Sequence, residues 1–383
     1  MKLPDKYLAV QNIGMLQRQA GVDARVGELV QAHARMAIDA GGTVSFDFEP
    51  FATGTPEAAL FRRLSSSNPH ADTRFLRFLA AYGGGFKRRA LPVIFHTDHL
   101  AKQLSLSPRT LRFINAAPEG FYRELRIPKK DGGERRLLSP REPLRQAQYW
   151  VLRRILDRCS VHDAAHAFVR GRSIVTNARL HQGRAVVVRL DLENFFPSVR
   201  RTAIRKVFQR IGYTYSVADA LAGLCTIDGG LPQGAATSPA LSNLAAINLD
   251  VRFTALGKRL DFQYSRYADD LVFSSNDERL PALLPFFREV IASEGYVVNQ
   301  KKTRVMRQGV PQMVTGLVTN VKPALPRARR RLLRAMTHRL RTRGSNALTL
   351  ARDRRQGSEL VPVLEGHLAF ARMVQRQRGQ IDS

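Results

Sequence analysis

The sequence predicts a fold of the α+β class, in which an antiparallel sheet packs on helices. Two segments, FYRELRIPKKDGGERRLLSP and QYSRYADDLVFSS, each have the pattern of two short strands joined by a tight turn. A third segment, RAVVVRLDLENFFPSV, has the continuous apolar run of a buried strand, and that run ends at Asp191. Apolar residues at helical spacing dominate several of the other segments, so the chain combines strands with helices.

The first portion of the chain is predicted to be mostly helical. Residues 1–40 have helical spacing, and residues 41–69 are rich in Gly, Pro and Ser around a short apolar segment. The segment TRFLRFLAAYGGGFKRR predicts a helix that stops at its three glycines. This portion contains no residues whose chemistry we recognise from the sequence.

Residues 99–114, HLAKQLSLSPRTLRFI, predict two helices joined by a turn at Ser107-Pro108. The pattern has two interpretations. One is a helix-turn-helix that reads DNA, and the other is a packed helical pair that leads into the next domain. The motifs further along the chain favour the packed pair.

The elements that follow can be placed in order. The segment from Phe121 predicts a hairpin with a basic tip and a turn at Asp131-Gly132-Gly133. REPLRQAQYWVLRRILDR and SPALSNLAAINLDVRF both predict helices. After Lys322 the chain is predicted to be helical and basic. The apolar stripe of this last region consists of Leu332, Leu333, Met336 and Leu340.

The charge balance indicates a nucleic acid partner. The 383 residues include 61 Lys and Arg against 32 Asp and Glu, a formal net charge of +29. Such an excess repels itself in a compact fold unless a polyanion neutralises it, so nucleic acid is the first expected partner and a membrane surface the second. The sequence has no bilayer-spanning apolar run, no secretion signal and only two cysteines. We therefore expect a soluble, cytoplasmic protein that binds nucleic acid and no membrane.

Three carboxylates are the candidate catalytic residues. Asp191 ends a buried strand, and Asp269 and Asp270 stand side by side at the turn of an apolar hairpin. Adjacent like charges repel each other unless a cation lies between them. If the two elements are neighbouring strands, the three side chains meet at one sheet edge and suit two Mg²⁺ ions that activate a hydroxyl and stabilise a leaving group. For the tetrapeptide Tyr-Ala-Asp-Asp alone, the alternative is a solvated turn.

From Ile127 to Gly316 the sequence resembles reverse transcriptases, with five motifs in the order of that family. IPKKDGGERRLL resembles the fingers hairpin, RLDLENFFPSV the first metal-binding strand of the palm, and LPQGAATSP the loop that shapes the nucleotide pocket. YADDLVFSS resembles the catalytic hairpin, and GYVVNQKKTRV resembles a palm segment with a lysine. The resemblance implies a right-hand polymerase fold with fingers, palm and helical thumb. It also implies an RNA-directed DNA polymerase that adds deoxynucleotides from dNTPs and releases pyrophosphate.

This resemblance implies that the basic hairpin binds the incoming dNTP. Lys129 and Arg135 are expected to fold over its triphosphate, because a guanidinium group suits bidentate phosphate contact. Arg136 is the alternative to Arg135, since the register is not fixed by one sequence. The alternative for the whole tip is a solvated basic turn.

Three further residues are implied to lie at the nucleotide. Phe196 is the bulky ring expected under the sugar, where a ribose 2′-OH would clash, while one of Phe195 and Phe196 is expected to pack in the core. Gln233 lies between Pro232 and a glycine, in a loop that presents its amide near the nucleotide. Lys302 resembles the lysine that approaches the leaving pyrophosphate as a proton donor, and its alternative is a surface lysine.

Two short motifs narrow the resemblance to the bacterial retron reverse transcriptases. Asn177-Ala178 and His181 form an Asn-Ala-x-x-His pattern, and Val314-Thr315-Gly316 follows the palm. Retron enzymes copy part of a structured non-coding RNA into a short single-stranded DNA, called msDNA, primed from a 2′-OH of that RNA. Many retrons act in anti-phage defence with an accessory effector. The implied partners are therefore the cognate RNA, its RNA–DNA hybrid product and a retron effector protein.

The predicted RNA-binding residues fall in these two motifs and in the basic C-terminal region. On a helix Asn177 and His181 face the same way, where they can pair with RNA edges or a 2′-OH, and the alternative is a polar pair that caps local structure. For Val314, Thr315 and Gly316 the alternative is a strand that enters a turn. Residues 322–383 contain 15 Lys and Arg against 4 Asp and Glu, and we expect them to grip A-form phosphate backbones. The first candidates are Arg327, Arg329, Arg330, Arg331, Arg334 and Arg339.

The motifs divide the chain into four predicted parts. These are an N-terminal extension of unknown role (1–95), a fingers region (96–185), a palm with the catalytic carboxylates (186–316) and a basic helical thumb (317–383). Two other functions stay open: another bacterial reverse transcriptase, of group II intron type or defence-associated, and an RNA-binding protein with an inactive polymerase core. The presence of all three palm carboxylates argues against the inactive core. The sequence predicts no oligomeric state.

Overall fold

A computed structural model describes residues 52–67, 73–128, 133–349 and 357–379. Its helices form where apolar residues recur every three to four positions. In chain order they are α1 Pro56–Ser67, α2 Thr73–Arg88, α3 Thr97–Gln103, α4 Pro108–Ala116, α5 Leu144–Arg154, α6 Ile174–Arg179, α7 Phe195–Ser198, α8 Arg201–Ile211, α9 Tyr215–Cys225, α10 Ser238–Ala245, α11 Ile247–Leu260, α12 Leu284–Ser293, α13 Arg327–Arg343 and α14 Val361–Gly379. Within these described ranges, no helix is long and apolar enough to cross a membrane.

The strands form three antiparallel sheets. In chain order they are β1 Tyr122–Pro128, β2 Glu134–Pro140, β3 Val186–Asp191, β4 Gln263–Tyr267, β5 Asp270–Ser275, β6 Arg304–Arg307, β7 Met313–Val314 and β8 Leu317–Val318. β1 pairs with β2, β7 pairs with β8, and the four-stranded sheet has the order β4-β5-β3-β6.

The chain divides into two compact units. The first contains the described residues up to Ser160 together with Phe196–Ala245. The second contains Val161–Phe195 and the described residues from Ala246 onward. The predicted fingers hairpin therefore belongs to the first unit, and the four-stranded sheet and the C-terminal helices belong to the second. The division into extension, fingers, palm and thumb stays a prediction.

In the first unit, the two helices predicted around Ser107 form a packed pair. Helix α3 buries Leu100, and α4 buries Leu111. Both helices pack against α9. The Ser107 hydroxyl accepts a hydrogen bond from the Thr110 N–H (3.0 Å), which starts α4 at the predicted turn. These contacts support the interpretation as a packed helical pair.

The prediction that three glycines stop the preceding helix was wrong. Helix α2 continues through Gly83-Gly84-Gly85. The glycines let α1 approach closely, because an added Cβ would collide with Leu60 at Gly83 and with Glu57 at Gly84. Packing between the two helices thus outweighs the low helix propensity of glycine, which costs about 1 kcal/mol per residue relative to alanine.

The predicted basic hairpin is confirmed in its strands. β1 and β2 pair in register over seven residues each. All residues of β1 after Tyr122 are exposed. Lys129 and the predicted turn residues Asp131-Gly132 lie outside the described residues.

In the second unit, the predicted buried strand and the Asp-Asp hairpin are confirmed and lie side by side. β5 lies between β4 and β3 and is buried along its whole length. A central strand covered on both faces needs apolar side chains on both, which explains its continuous Leu-Val-Phe run. One face packs on α11 and α12, where the Phe273 ring contacts Phe253 (4.9 Å between centroids) and stacks on Phe287 (4.3 Å).

The C-terminal region is helical as predicted, and its apolar stripe is confirmed except at Leu332. Leu333 and Met336 of α13 are buried in a cluster that includes Leu364 of α14, and Leu340 packs against this cluster. Leu332 is 41% exposed. Successive helical residues point about 100° apart, so its neighbour Leu333 takes the buried side instead.

Gly257 of α11 is a position where one added methyl group should destabilise the fold. A Cβ at this residue would collide with the backbone carbonyl of Phe262. We expect Gly257→Ala to lower the free energy of unfolding by about 1–3 kcal/mol, because this clash outweighs a gain of about 1 kcal/mol in helix propensity. Chemical denaturation followed by circular dichroism measures the change.

Gly366→Ala in α14 is the matched control, because an added Cβ there meets no atom within 4 Å. The same substitution should raise stability at this position by up to about 1 kcal/mol. Equal changes in the two variants would contradict the close approach assigned to Gly257.

Candidate active site

The register of β3 and β5 brings the candidate carboxylates together. Asp191, the last residue of β3, pairs with Asp270, the first residue of β5. Asp269 directly precedes β5, and its carbonyl accepts a hydrogen bond from the Leu192 N–H (2.8 Å). The three carboxylates therefore lie at one edge of the sheet, on neighbouring strands.

Two cationic side chains pair with this acidic edge. Arg189 Nε donates to Asp270 Oδ1 (2.6 Å), and Lys302 Nζ donates to Asp191 Oδ1 (3.1 Å). Burial raises the pKa of Asp270 to about 6 against the lowering effect of Arg189, and the charges of Asp269 and Asp191 add to the rise. The raised pKa thus comes mainly from burial, with a smaller contribution from the neighbouring carboxylates, and such shifts are common at functional sites.

The turn between β4 and β5 has a strained backbone. Tyr267 pairs with Asp270, so only two residues connect the strands. The first of them, Ala268, has a φ of +59°. Hairpins with a positive φ at this position usually carry glycine there, and a residue with a Cβ pays about 1–2 kcal/mol for the left-handed conformation. Contacts around Ala268 must hold the turn in this shape.

The donor set suits a hard divalent cation. Asp191, Asp269 and Asp270 offer only carboxylate oxygens, which are the ligands that Mg²⁺ prefers. In the part of the chain that the structure describes, no group of three or more acidic, His or Cys side chains already has the arrangement of a metal site. The fit therefore rests on the convergence of like charges and on the raised pKa of Asp270, both of which a cation would relieve.

The hairpin of the first unit distinguishes its two candidate arginines. Arg136 makes ion pairs with Glu124 (2.8 Å) and Asp228 (2.6 Å). Arg135 is exposed and makes no ion pair with any described residue. Of the two guanidinium groups, Arg135 is the one available to a ligand.

Gln233 and Phe196 also belong to the first unit. Gln233 is half-buried, and its carbonyl accepts a hydrogen bond from the Leu138 N–H of β2 (2.7 Å), so its loop lies against the hairpin. Gly234 has a φ of +116°, and an added Cβ would meet the Leu138 oxygen at 3.0 Å. Phe196 is half-buried, whereas Phe195 of the second unit is 2% exposed and is the core residue of the two. The nucleotide-binding roles of Gln233 and Phe196 stay predictions.

The Asn-Ala-x-x-His motif is buried at helix α6 and the turn after it. Asn177 and His181 have no exposed surface. His181 Nδ1 hydrogen-bonds to Ser274 Oγ of β5, and Nε2 to Ser265 Oγ of β4, both at 2.7 Å. Burial lowers the pKa of His181 to about 3, so a neutral ring bridges the two strands of the catalytic hairpin.

Burial changes how this motif can act. A side chain without exposed surface reaches RNA only if its surroundings open, so RNA contact by Asn177 and His181 stays a prediction. The contacts that the structure places on His181 are with the hairpin itself. For His181 this is closer to the alternative of a satisfied polar residue that caps local structure, whereas the structure shows no hydrogen-bond partner for the Asn177 side chain among the described residues.

The Val-Thr-Gly motif forms the turn between β7 and β8 and contacts the start of α6. Val314 is buried, and Thr315 and Gly316 have positive φ values of 47° and 81°. The Thr315 hydroxyl donates a hydrogen bond to the Ile174 carbonyl (2.9 Å). The two motifs, far apart in the sequence, are therefore neighbours in the second unit.

The candidate arginines of α13 fall into two groups. Arg329 lies over the Phe370 ring (4.9 Å), and Arg339 Nη1 donates to Thr349 Oγ1 (2.9 Å), so both contact the protein. The second group is exposed, has no ion pair within the described residues and borders a groove of about 580 Å³ at two of its positions. It consists of Arg327, Arg330, Arg331 and Arg334, of which Arg330 and Arg334 line the groove.

Sequence reasoning missed three charged residues of the second unit: Arg189, Asp250 and Arg266. Arg189 was signalled by a charge inside the apolar run VVVRLD, since a charge in a buried strand needs a partner. Asp250 and Arg266 form an ion pair with 0% exposure on both sides. No local pattern shows that these two residues meet.

Comparison with known proteins agrees with the resemblance. Residues 127–340 match the family described as reverse transcriptase (RNA-dependent DNA polymerase), which confirms the predicted reverse transcriptase fold. The chain is 39% identical to the retron Mx162 reverse transcriptase of Myxococcus xanthus, over 74% of this chain and 64% of that protein. It is 39% identical to the retron Mx65 reverse transcriptase of the same organism, over 74% and 71%. It is 34% identical to the retron Ec86 reverse transcriptase of Escherichia coli, over 68% and 83%. The chain thus spans slightly less than two thirds of the Mx162 protein.

His181 should be a main source of stability for the catalytic hairpin. His181→Phe keeps a ring of similar size but leaves the hydroxyls of Ser265 and Ser274 without this partner. We expect the free energy of unfolding to fall by about 2–4 kcal/mol, because two buried polar groups lose a hydrogen bond. Chemical denaturation at neutral pH measures the decrease. His338→Gln, at an exposed histidine of α13, controls for the removal of a histidine.

The pH dependence of the free energy of unfolding should provide a second test of the role of His181. Folding keeps His181 neutral, while the unfolded chain protonates it below about pH 6.5. The stabilisation is complete above that pH and is lost as the pH falls toward about 3. Between pH 7.5 and pH 5 the titration of His181 should lower the free energy of unfolding of the parent protein by about 2 kcal/mol. The His181→Phe variant should lack this contribution. An equal loss in both proteins would show that the histidine is not held neutral.

Proposed function

This chain belongs to the reverse transcriptases, the RNA-dependent DNA polymerases, and among them to the retron enzymes, and we propose that it makes the msDNA of a retron. It copies part of a cognate structured non-coding RNA into a short single-stranded DNA and starts from a 2′-OH of that RNA. The observation that carries this proposal is the position of the Asn-Ala-x-x-His motif, on α6 and the turn after it. The start of α6 contacts the Val-Thr-Gly turn, and His181 in the following turn hydrogen-bonds to both strands of the carboxylate-bearing hairpin.

The proposed reaction is nucleotidyl transfer. A hydroxyl of the RNA, and then the 3′-hydroxyl of the growing DNA, attacks the α-phosphorus of a dNTP, and pyrophosphate leaves. Asp191, Asp269 and Asp270 would hold the divalent ions for this step, because their carboxylates meet at the paired ends of β3 and β5. Two bound Mg²⁺ ions would supply an activated hydroxyl and charge stabilisation of the leaving group. Lys302 Nζ, which the structure places against Asp191, donates a proton toward the pyrophosphate.

We assign dNTP recognition to four further side chains. Lys129 and Arg135 bind the triphosphate oxygens, and the lack of an ion pair at Arg135 in the described chain supports this role. Gln233 presents its amide to the nucleotide from a loop that lies against β2. Phe196 lies under the sugar and excludes a ribose 2′-OH, which makes the substrate a deoxynucleotide.

We assign RNA binding to exposed arginines of α13 and to the Asn-Ala-x-x-His and Val-Thr-Gly motifs. Arg330, Arg331 and Arg334 contact phosphates of an A-form stem, whose recognition relies on phosphate and 2′-OH contacts. The Val314-Thr315-Gly316 turn contributes backbone contacts, and Asn177 and His181 pair with RNA edges or a 2′-OH when their buried surroundings open. The cognate non-coding RNA and its RNA–DNA hybrid product are the proposed partners.

The proposed biological setting follows from the retron group. The protein works in the cytoplasm, in anti-phage defence and together with an effector protein. Membership of the retron enzymes supports these assignments.

Replacing Asp269 and Asp270 by Asn should abolish DNA synthesis. The two amides keep the shape of the turn but remove the charges that hold the cations, so we expect primer extension on a supplied RNA template to fall by at least about 10²-fold. RNA binding, measured in the same preparation, should be retained. The control is Asp277→Asn, an exposed carboxylate that pairs only with Arg279 among the described residues. DNA synthesis by the double variant at the parent rate would show that the metal assignment is wrong.

The product identifies the class of reverse transcriptase. Nucleic acid from cells that express the gene with its native flanking DNA should contain a discrete short DNA on a denaturing gel. This species should shift after ribonuclease treatment, because its RNA branch is removed, and should be absent with the double Asn variant. Primer extension in vitro without such a species in cells would assign the enzyme to another bacterial class, such as a group II intron type.

Removing three of the exposed arginines of α13 should weaken RNA binding in a salt-dependent way. We expect Arg330→Gln, Arg331→Gln and Arg334→Gln together to lower affinity for RNA transcribed from the flanking DNA. The slope of log K against log salt should fall by about 0.7–0.9 for each phosphate that the variant no longer neutralises. Fluorescence anisotropy over a range of salt concentrations measures both quantities. Lys258→Gln with Arg259→Gln, exposed on α11, is the control, and an identical slope in both variants would refute the assignment.

A further inference from the structure

A charged pair without any exposure lies beside the catalytic hairpin. Arg266 is on β4 and Asp250 on α11, and both side chains are 0% exposed. Arg266 Nε and Nη2 donate to the two oxygens of Asp250 at 2.8 and 2.6 Å. The Tyr264 hydroxyl donates to Asp250 Oδ1 (2.9 Å), so this carboxylate accepts three hydrogen bonds. The pair is therefore a fully formed bidentate contact inside the second unit.

The remaining arm of the guanidinium reaches the catalytic turn. Arg266 Nη1 donates to the carbonyl oxygen of Ala268 (3.3 Å). Ala268 is the residue with the strained φ of +59°. Its carbonyl belongs to the peptide that leads into Asp269, so its direction helps to set where that carboxylate points. Arg266 thus connects the strained residue of the turn to helix α11 through Asp250.

The main chain of Arg266 is held independently of its side chain. Its N–H donates to the Ala164 carbonyl (2.7 Å), and its carbonyl accepts from the His166 N–H (2.8 Å). These bonds fix the outer edge of β4. Main-chain bonds therefore hold the strand at Arg266 as well, and the guanidinium group adds its contacts with Asp250 and with the Ala268 carbonyl.

Stability alone does not explain this pair. Removing two charges from water is costly, and an apolar pair of similar volume is often as stable as a buried ion pair. A planar guanidinium group can instead bridge two acceptors in fixed directions, which an apolar side chain cannot do. We propose that the Asp250–Arg266 pair positions the Asp269-Asp270 turn for catalysis by fixing the Ala268 carbonyl.

Arg266 is in this account a positioning residue, because it has no exposed surface and acts through the turn. The inference rests on the proposed function, since the direction of the turn matters for activity only if Asp269 and Asp270 serve polymerisation. Loss of the pair should also weaken the binding of a divalent ion, because the Asp269 and Asp270 carboxylates would then point in the wrong directions.

The test replaces both charges at once, with Asp250→Leu and Arg266→Met, so that no unpaired charge is buried. We expect this variant to fold and to bind RNA, with kcat for primer extension on a supplied RNA template lowered by about 10²-fold. The KM for dNTP should change by less than about threefold, because the nucleotide contacts are untouched. Binding of Mn²⁺, followed by electron paramagnetic resonance, should weaken in parallel.

The matched control lies on the same helix. Arg252 of α11 pairs with Glu294 (2.6 Å) and Ser293 (2.8 Å) and has no hydrogen bond to the hairpin within the described residues. Arg252→Met should therefore keep the parent kcat and Mn²⁺ affinity. A second variant, Tyr264→Phe, removes one donor to Asp250 with little change in volume. It should lower kcat by about fivefold without raising KM, as expected for a loss near 1 kcal/mol.

The results distinguish failure of the positioning role from failure of the proposed polymerase function. Parent-like kcat and Mn²⁺ binding in the double variant would overturn the positioning role. If the double variant does not fold, Tyr264→Phe decides: a lower kcat at constant KM supports the role, and an unchanged kcat overturns it. Failure of the proposed function looks different, because then the parent protein and Arg252→Met extend no primer either.

Discussion

The pairing of β3 with β5 is the constraint on which the site depends. In this register Asp191 lies opposite Asp270, and a slip of one residue would turn one carboxylate to the other face of the sheet. Buried side chains fix the register: Val188 lies opposite Phe273, whose ring stacks on Phe287 at 4.3 Å. A slip would therefore move an aromatic core residue as well as a carboxylate. Packing at the centre of the sheet thus determines the chemistry at its edge.

Helix α6 and its flanking residues connect the four-stranded sheet to other parts of the second unit. In the turn after the helix His181 hydrogen-bonds to both strands of the hairpin, and at the start of the helix the Ile174 carbonyl accepts from the Thr315 hydroxyl. Ser173, which begins the helix, donates to Gln377 of α14 (2.6 Å). One short helix thus connects the Val-Thr-Gly turn and the C-terminal helix with the strands that hold the catalytic carboxylates. The two retron motifs belong to one packed structure inside the second unit.

Local patterns in the sequence were sufficient for the elements that bear the carboxylates. The run VVVRLD and the hairpin around Asp269-Asp270 each show their strand pattern within a few residues, and both strands were predicted correctly. The glycine run of α2 was misread, because its effect depends on α1 and not on the local sequence. His181 is a second residue whose role depends on contacts that are distant in the sequence. Its partners lie 84 and 93 residues away, so the sequence cannot show whether its ring faces RNA or protein.

The same limit applies to the net charge of +29, which predicts the class of partner but not the residues that meet it. Folding places acceptors beside some guanidinium groups: Asp250 beside Arg266 and Asp270 beside Arg189. Arg329 is engaged by the Phe370 ring. The planar, multidentate group that suits phosphate also suits these protein acceptors, so arginine serves both purposes in one chain. Which purpose a given arginine serves is decided by the acceptor that folding brings to it. The exposed arginines beside the α13 groove are therefore better candidates for RNA than a count of charges would indicate.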